Sequence, residues 1–228
     1  MTPDLRLGRW QDVIADVEQV DAVITDPPYG ARTHDGNADR LESMGREPLG
    51  YEPWSPAEVD EFVASWAARC RGWFVALTSD DLIQSWRAAY RAAGRYDFAP
   101  VPIVAHRLRM SGDGPASSAV YLMASRPRLA AFMGWGSLPG WYEAPVERGA
   151  PVIGAKPVEL MRALVRHYSS PGDLIVDPCA GGATTLLAAA IEGRRSIGAE
   201  MDPDTYAKAK ARLARGYTPD MFSGAASA

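Results

Sequence analysis

Short runs of β-branched and apolar residues recur at residues 5–7, 22–25, 73–78, 98–104, 119–124, 174–176 and 196–200. They are flanked by turn-forming residues, the pattern of short buried strands. Between most of them, apolar positions return every three or four residues, which predicts helices over 56–69, 81–93, 157–168, 184–192 and 203–215. The boundaries carry their own chemistry. Ser55, Pro56 and Glu58 form a capping signature with proline at the first helical position; Asp202 caps the last helix; Gly94, Gly193 and Gly216 follow helix ends. Strands alternating with helices imply a mostly parallel sheet covered on both faces, with its ligand site at the carboxyl ends of the strands. The segments 98–104 and 119–124 have no helix between them, so they are expected as antiparallel neighbours at one edge.

Composition narrows this picture. A chain of 228 residues, 47% hydrophobic, fills one α/β core. One domain is expected over 1–216, with 31–54 as a substrate loop, 131–153 as a short target-recognition segment and 217–228 as a flexible tail. Two cysteines make no disulfide framework, and no Cys/His spacing resembles a zinc site, so no metal is expected. The opening residues lack the apolar run of a signal peptide and no stretch approaches a membrane span, so a cytoplasmic protein is expected. A net charge of −4 argues against coating nucleic acid by bulk electrostatics. Locally, Arg87, Arg91, Arg95, His106, Arg107, Arg109, Arg126 and Arg128 outnumber Asp97 and Asp113, either as a nucleic-acid contact or as an ordinary solvated surface.

Three segments carry chemistry. In VITDPPYG, an apolar strand ends at Thr25 and Asp26, Pro27, Pro28 and Tyr29 follow. The prolines stiffen the chain and leave carbonyls free to accept. An aromatic amine has its lone pair delocalised into the ring, so acceptors on both N–H bonds favour the tetrahedral nitrogen that can attack. Asp26 and the Pro27 carbonyl suit that task, and Tyr29 suits stacking on a base, worth about 1–3 kcal/mol. The plain alternative is a strand-ending turn. In LIVDPCAGGATT, a strand ending at Asp177 runs through Cys179, Gly181 and Gly182 into a helix at Thr184, a turn that admits close approach of a ligand to backbone N–H groups, or a tight turn with no ligand. In IGAEMDP, Glu200 ends the next strand, where nucleotide-binding folds place an acid on ribose hydroxyls, or where an acid is simply solvated.

Together these segments resemble the DNA amino-methyltransferases that make N6-methyladenine or N4-methylcytosine. DPPY at 26–29 matches their catalytic motif, and DPCAGGATT resembles their cofactor motif DPF-x-G-x-G-TT. With the catalytic motif first and the cofactor motif late, the order resembles the circularly permuted β group, in which a helix carrying a KP pair precedes the cofactor strand. Lys156 and Pro157 supply that pair. The resemblance is strong over 5–30 and 155–213 and weaker between.

It implies a seven-stranded Rossmann-like methyltransferase sheet, mostly parallel with one antiparallel edge strand. It also implies S-adenosylmethionine held by Asp177, Cys179, Gly181, Gly182, Thr184, Glu200 and Lys156, and catalysis by Asp26, Pro27, Pro28 and Tyr29. The expected substrate is double-stranded DNA with the target base flipped out, at a cost of a few kcal/mol, and the expected state is a monomer or homodimer. An initial aspartate favours adenine N6 over cytosine N4 by family association. Enzymes acting on glutamine or RNA place the cofactor motif first, which disfavours them. The rival reading is an impaired methyltransferase-like DNA-binding subunit. Three features support it: the cofactor loop altered at Cys179, where the family has phenylalanine, and at Ala183, where it has the last glycine; Arg9 where LxxGD has its acid, with Trp10 or Asp12 as substitutes or Trp10 packed in the core; and the small recognition region. Trp135, Trp141 and Tyr142 in the second spare segment are expected either to stack on bases or to cover the sheet.

Overall fold

The computed structural model describes residues 2–33, 52–109, 117–128, 135–145, 152 and 154–217, with only the backbone of 106–109 and 117–118. In chain order the elements are β1 (Asp4–Leu7), α1 (Trp10–Val13), β2 (Ala22–Thr25), α2 (Pro56–Ala67), β3 (Phe74–Thr78), α3 (Ile83–Ala92), β4 (Tyr96–Asp97), β5 (Val101–Arg109) and β6 (Ser117–Arg126). There follow β7 (Tyr142–Ala144), α4 (Val158–Tyr168), β8 (Leu174–Asp177), α5 (Thr184–Ile191), β9 (Arg195–Glu200) and α6 (Pro203–Arg215). A 3-10 turn, Asp80–Leu82, leads into α3. The strands form one sheet in the order β1-β9-β8-β2-β3-β6-β5-β7, with β4 also paired to β6.

The strand interior shows why these runs are so apolar. Successive residues enter opposite layers: Val23, Phe74 and Ala76 join α2 and α3 through Phe62, Trp66, Trp86 and Tyr90. Ala22, Ile24, Val75 and Leu77 face α4 and α5 through Leu160, Leu164 and Ala188 on the other side. A strand buried on both faces has no polar position to alternate with. The helix ends follow the expected chemistry, with a capping box at Ser55 and Glu58 and an Asp202 side chain accepting from Thr205 N at 2.7 Å.

The pair β5 and β6 is antiparallel, as the missing helix between them implies. The reversed strand is not the outermost one, however. β6 lies between β3 and β5, and the three-residue β7 adds a parallel strand beyond β5. The described residues therefore form nine strands rather than the seven expected, because β4 and β7 are too short to show a period. Register gives this edge a further property. Thr78 pairs with Tyr121, and Tyr121 with Pro102. The rest of β5 beyond Pro102, and β6 before Tyr121, thus run past the end of β3 as an arm above the carboxyl edge of the sheet.

Candidate active site

The loop after β2 is held from three directions. Tyr29 donates its hydroxyl to Asp26 Oδ1 at 3.0 Å, and Lys156 Nζ donates to Asp26 Oδ2 at 2.5 Å. The Lys156 ammonium also lies 5.0 Å from the centre of the Tyr29 ring. Backbone contacts fix the rest: Trp54 N donates to the Tyr29 carbonyl at 3.0 Å, and Gly30 N donates to Ser79 Oγ at 3.1 Å. A Cβ at position 30 would collide with the Asp81 carboxylate, which would have to swing away to admit one.

Asp177, at the end of β8, is the neighbour of this loop because β2 and β8 pair in parallel. Thr25 Oγ1 donates to Asp177 Oδ1 at 2.7 Å, and Cys179 N reaches the same oxygen at 3.2 Å. Burial pushes the Asp177 carboxyl up to about 6, against the hydrogen bonds from Thr185 and Thr25. Burial also raises Cys179, with Asp177 and Glu200 adding to the effect, so its thiol stays protonated and unreactive. One strand further on, Glu200 Oε1 accepts from Asp202 N at 2.8 Å, while Gly8 N donates to the Glu200 carbonyl at 2.8 Å. Burial raises the Glu200 carboxyl above its ordinary value.

The turn between β8 and α5 answers the question raised by Ala183. It takes the left-handed conformation, φ 56° and ψ 33°, that the glycine of the resembled motif would adopt without strain. That costs about 1–2 kcal/mol. Its buried methyl packs with Leu5, Ala180, Leu186 and Ala209 and returns about 0.8 kcal/mol. The strain is partly offset, leaving about 0.2–1.2 kcal/mol against Ala183. Gly181 lies at φ 50°, a conformation that side chains rarely adopt, and nothing stands within 4 Å of where a Cβ would be. Arg212 of α6 braces the same turn, donating Nη1 to the Gly182 carbonyl at 3.1 Å and to Thr184 Oγ1 at 2.7 Å.

The structure thus brings Asp26, Pro27, Pro28, Tyr29, Asp177, Cys179, Gly181, Gly182, Thr184 and Glu200 to the carboxyl edges of three adjacent strands or the loops that follow them. Lys156, expected with the cofactor residues, contacts Asp26. Trp10 packs edge-on against Phe62 at 5.4 Å, a core role, while Arg9 is exposed. Trp54 also belongs to the core, at 5.1 Å from Phe62, and most of the spare loop before it, residues 34–51, lies outside the described residues. Of the three aromatics in the second spare segment, Trp135 packs on Trp73 and Tyr142 is buried in β7, donating to or accepting from His167 Nδ1 at 2.9 Å. Trp141 is 56% exposed. Residues 131–134, 146–151, 153 and the tail from 218 lie outside the described residues.

The arginine-rich segment divides into different tasks. Arg87 and Arg91 pair with Asp97, and Arg95 is buried, donating to the Cys70 carbonyl at 3.1 Å and Ser125 Oγ at 3.0 Å. Arg126 and Arg128 lie over the Tyr96 ring. Arg107 and Arg109 sit on the overhanging part of β5. Residue-type reasoning missed Thr25, Ser79, Asp81 and Arg212. For Arg212 a signal existed: it falls three positions after the buried Ala209 on the inward stripe of α6. Among the described residues, no group of three or more His, Cys, Asp or Glu is placed to hold a metal ion, and no helix is long and apolar enough to cross a membrane.

Comparison with known proteins agrees with this layout. The family model described as DNA methylase, of the N6/N4 type, matches residues 144–211. A 48-residue stretch is 50% identical to the Type II methyltransferase M.MthZI of Methanothermobacter thermautotrophicus, covering 21% of this chain and 14% of that protein. YubD of Escherichia coli (strain K12), a methylase by name, is 27% identical over 207 residues, covering 86% of this chain and 82% of its own length. Among solved structures, M1.HpyAVI in complex with SAM superimposes with a TM-score of 0.69 at 20% identity, covering 93% of this chain and all 100% of the other. The fold is therefore the mixed α/β sheet of S-adenosylmethionine-dependent methyltransferases.

Proposed function

We propose that the chain is an S-adenosylmethionine-dependent DNA amino-methyltransferase of the circularly permuted β group, acting on the exocyclic amine of a flipped base, adenine N6. One observation carries this reading: the loop bearing Asp26 and Tyr29 lies beside the loop after Asp177, on neighbouring strands joined by the Thr25 to Asp177 hydrogen bond. An amine-gripping loop and a cofactor-type turn thereby share one edge, although they are separated by most of the chain. The matches to a DNA methylase family model and to methyltransferases support the reaction class. The choice of adenine rests on the aspartate that opens DPPY.

The residues present suit the cofactor. Gly181 leaves space beside the turn, Glu200 stands one strand over with a half-buried carboxylate, and Asp177 fixes the turn through Cys179 N. S-adenosylmethionine, when bound, supplies an electrophilic methyl on sulfur. The chain supplies the rest. Asp26 and the Pro27 carbonyl accept the two N–H bonds of the amine and turn its lone pair out of conjugation, and Tyr29 stacks on the base. No covalent enzyme intermediate is needed, and the catalytic contribution is positioning and polarisation. Ala183 takes a left-handed conformation in which glycine is also at home, so its presence in the loop does not by itself favour an impaired DNA-binding subunit.

The test is expression of the wild-type chain and Asp26→Ala in a methylation-free host, followed by modified-base sequencing and by calorimetry with S-adenosylmethionine. The wild type is expected to mark adenine at a defined sequence. Asp26→Ala is expected to lose at least about 100-fold in methyl transfer while binding the cofactor with similar affinity. Methylcytosine in place of methyladenine overturns the base assignment, and retained turnover in Asp26→Ala overturns the catalytic one.

A further inference from the structure

Lys156 stands just ahead of α4, far from Asp26 in sequence, yet among the described residues its side-chain partners beyond its own loop are Asp26 and Tyr29. Its ammonium donates to Asp26 Oδ2 at 2.5 Å and to the Gly154 carbonyl at 3.4 Å, and lies 5.0 Å from the Tyr29 ring centre. The Tyr29 hydroxyl takes the other carboxylate oxygen at 3.0 Å, which closes a three-membered cycle of side chains. The pair is substantially sheltered: the side chains of Lys156 and Asp26 are 17% and 23% exposed. Pro157 follows Lys156 and takes the N-cap position of α4 at ψ 138°. A residue before proline avoids the helical region, so Lys156 is kept out of α4 and directed at the loop.

Each carboxylate oxygen has two acceptor sites. One donor on each oxygen therefore fixes the plane of the Asp26 carboxyl without exhausting its capacity for an incoming amine. That is the requirement of a reaction in which the two N–H bonds must be held at set directions. The structure assigns to Lys156 the role of a positioning residue, holding Asp26 and Tyr29 in one arrangement for methyl transfer, rather than a place among the residues that bind the cofactor. The assignment rests on the proposed methyl transfer and adds to it a residue that acts through Asp26.

The experiment uses the full chain with Lys156→Met, Lys156→Gln and Lys156→Arg. S-adenosylmethionine affinity is measured by calorimetry, and single-turnover methyl transfer at saturating cofactor is measured on DNA from a methylation-free host. Misplacing a reacting group by about 1 Å costs about 100-fold. The Met and Gln variants are accordingly expected to lose about that much of the saturated rate, with cofactor affinity within about threefold of wild type. Lys156→Arg, which keeps a donor and a charge, is expected to recover at least about a tenth of the wild-type rate. A saturated rate that survives while cofactor affinity drops about tenfold or more places Lys156 with the cofactor and overturns the assignment. So do unchanged rate and affinity together. A wild-type chain that neither binds the cofactor nor transfers methyl sinks the function itself, and this role with it.

Discussion

Asp177 is a buried carboxylate whose hydrogen bonds do not fully compensate its loss of water. Its Oδ1 accepts from Thr25 and from Cys179 N, yet burial still leaves its titration near 6. The folded value lies above the ordinary 3.8, so the folded chain holds this proton more tightly than the unfolded one. Its contribution is then most favourable below about 4 and is lost as pH rises to about 6, a span on the order of 3 kcal/mol. Asn at 177 keeps an oxygen for Thr25 and Cys179 N and carries no charge. We expect Asp177→Asn to be more stable than wild type at pH 7.5, by on the order of 1–3 kcal/mol in urea unfolding, and nearly equal to it at pH 4. A variant equally destabilised at both values rules this account out. A group held at such a cost is consistent with the turn being kept for ligand binding rather than for stability.

Gly30 joins two elements, the end of β2 and the 3-10 turn after β3. Ser79 Oγ accepts from Gly30 N and in turn donates to Asp81, whose carboxylate fills the space a Cβ at position 30 needs. A methyl there must displace either Asp81 or the catalytic loop. Overpacking of this kind costs about 1–3 kcal/mol. Gly30→Ala is expected to lower methyl transfer by at least about tenfold with cofactor affinity preserved, and adding Asp81→Gly should restore part of the rate by clearing the space. Failure of the double variant to recover would place the fault in backbone conformation instead. The joint also shows what could be read from residues alone. The helices and long strands were legible because caps, glycines and apolar periods are local signals. The adjacency of β2 and β8 was not, since strand order depends on packing between segments separated by most of the chain. The roles of Thr25, Ser79 and Lys156 are equally non-local: each is defined by a partner that no spacing in the sequence reveals.

Taken as a whole, the molecule carries a net negative charge, and its described residues have little positive charge to spare for nucleic acid. The net charge is −4, and many arginines are already engaged: Arg6 with Asp4 and Asp16, Arg87 and Arg91 with Asp97, Arg162 and Arg166 with Glu192. Arg95, Arg194 and Arg212 are buried. Under the proposed function, DNA binding must then draw on a few phosphate contacts and on the site itself. The arm of β5 and β6 is the part of the sheet that overhangs the carboxyl edge, and it carries Arg107 and Arg109. Each neutralised phosphate adds about −0.9 to the slope of log affinity against log salt. A slope no steeper than about −4 is expected for duplex DNA, measured by fluorescence anisotropy between low and physiological salt. Arg107→Ala with Arg109→Ala should make it shallower by about 1–2 and leave cofactor affinity unchanged. A wild-type slope near −8 means a basic surface larger than these residues provide, and an unchanged slope in the double variant removes the arm from the contact.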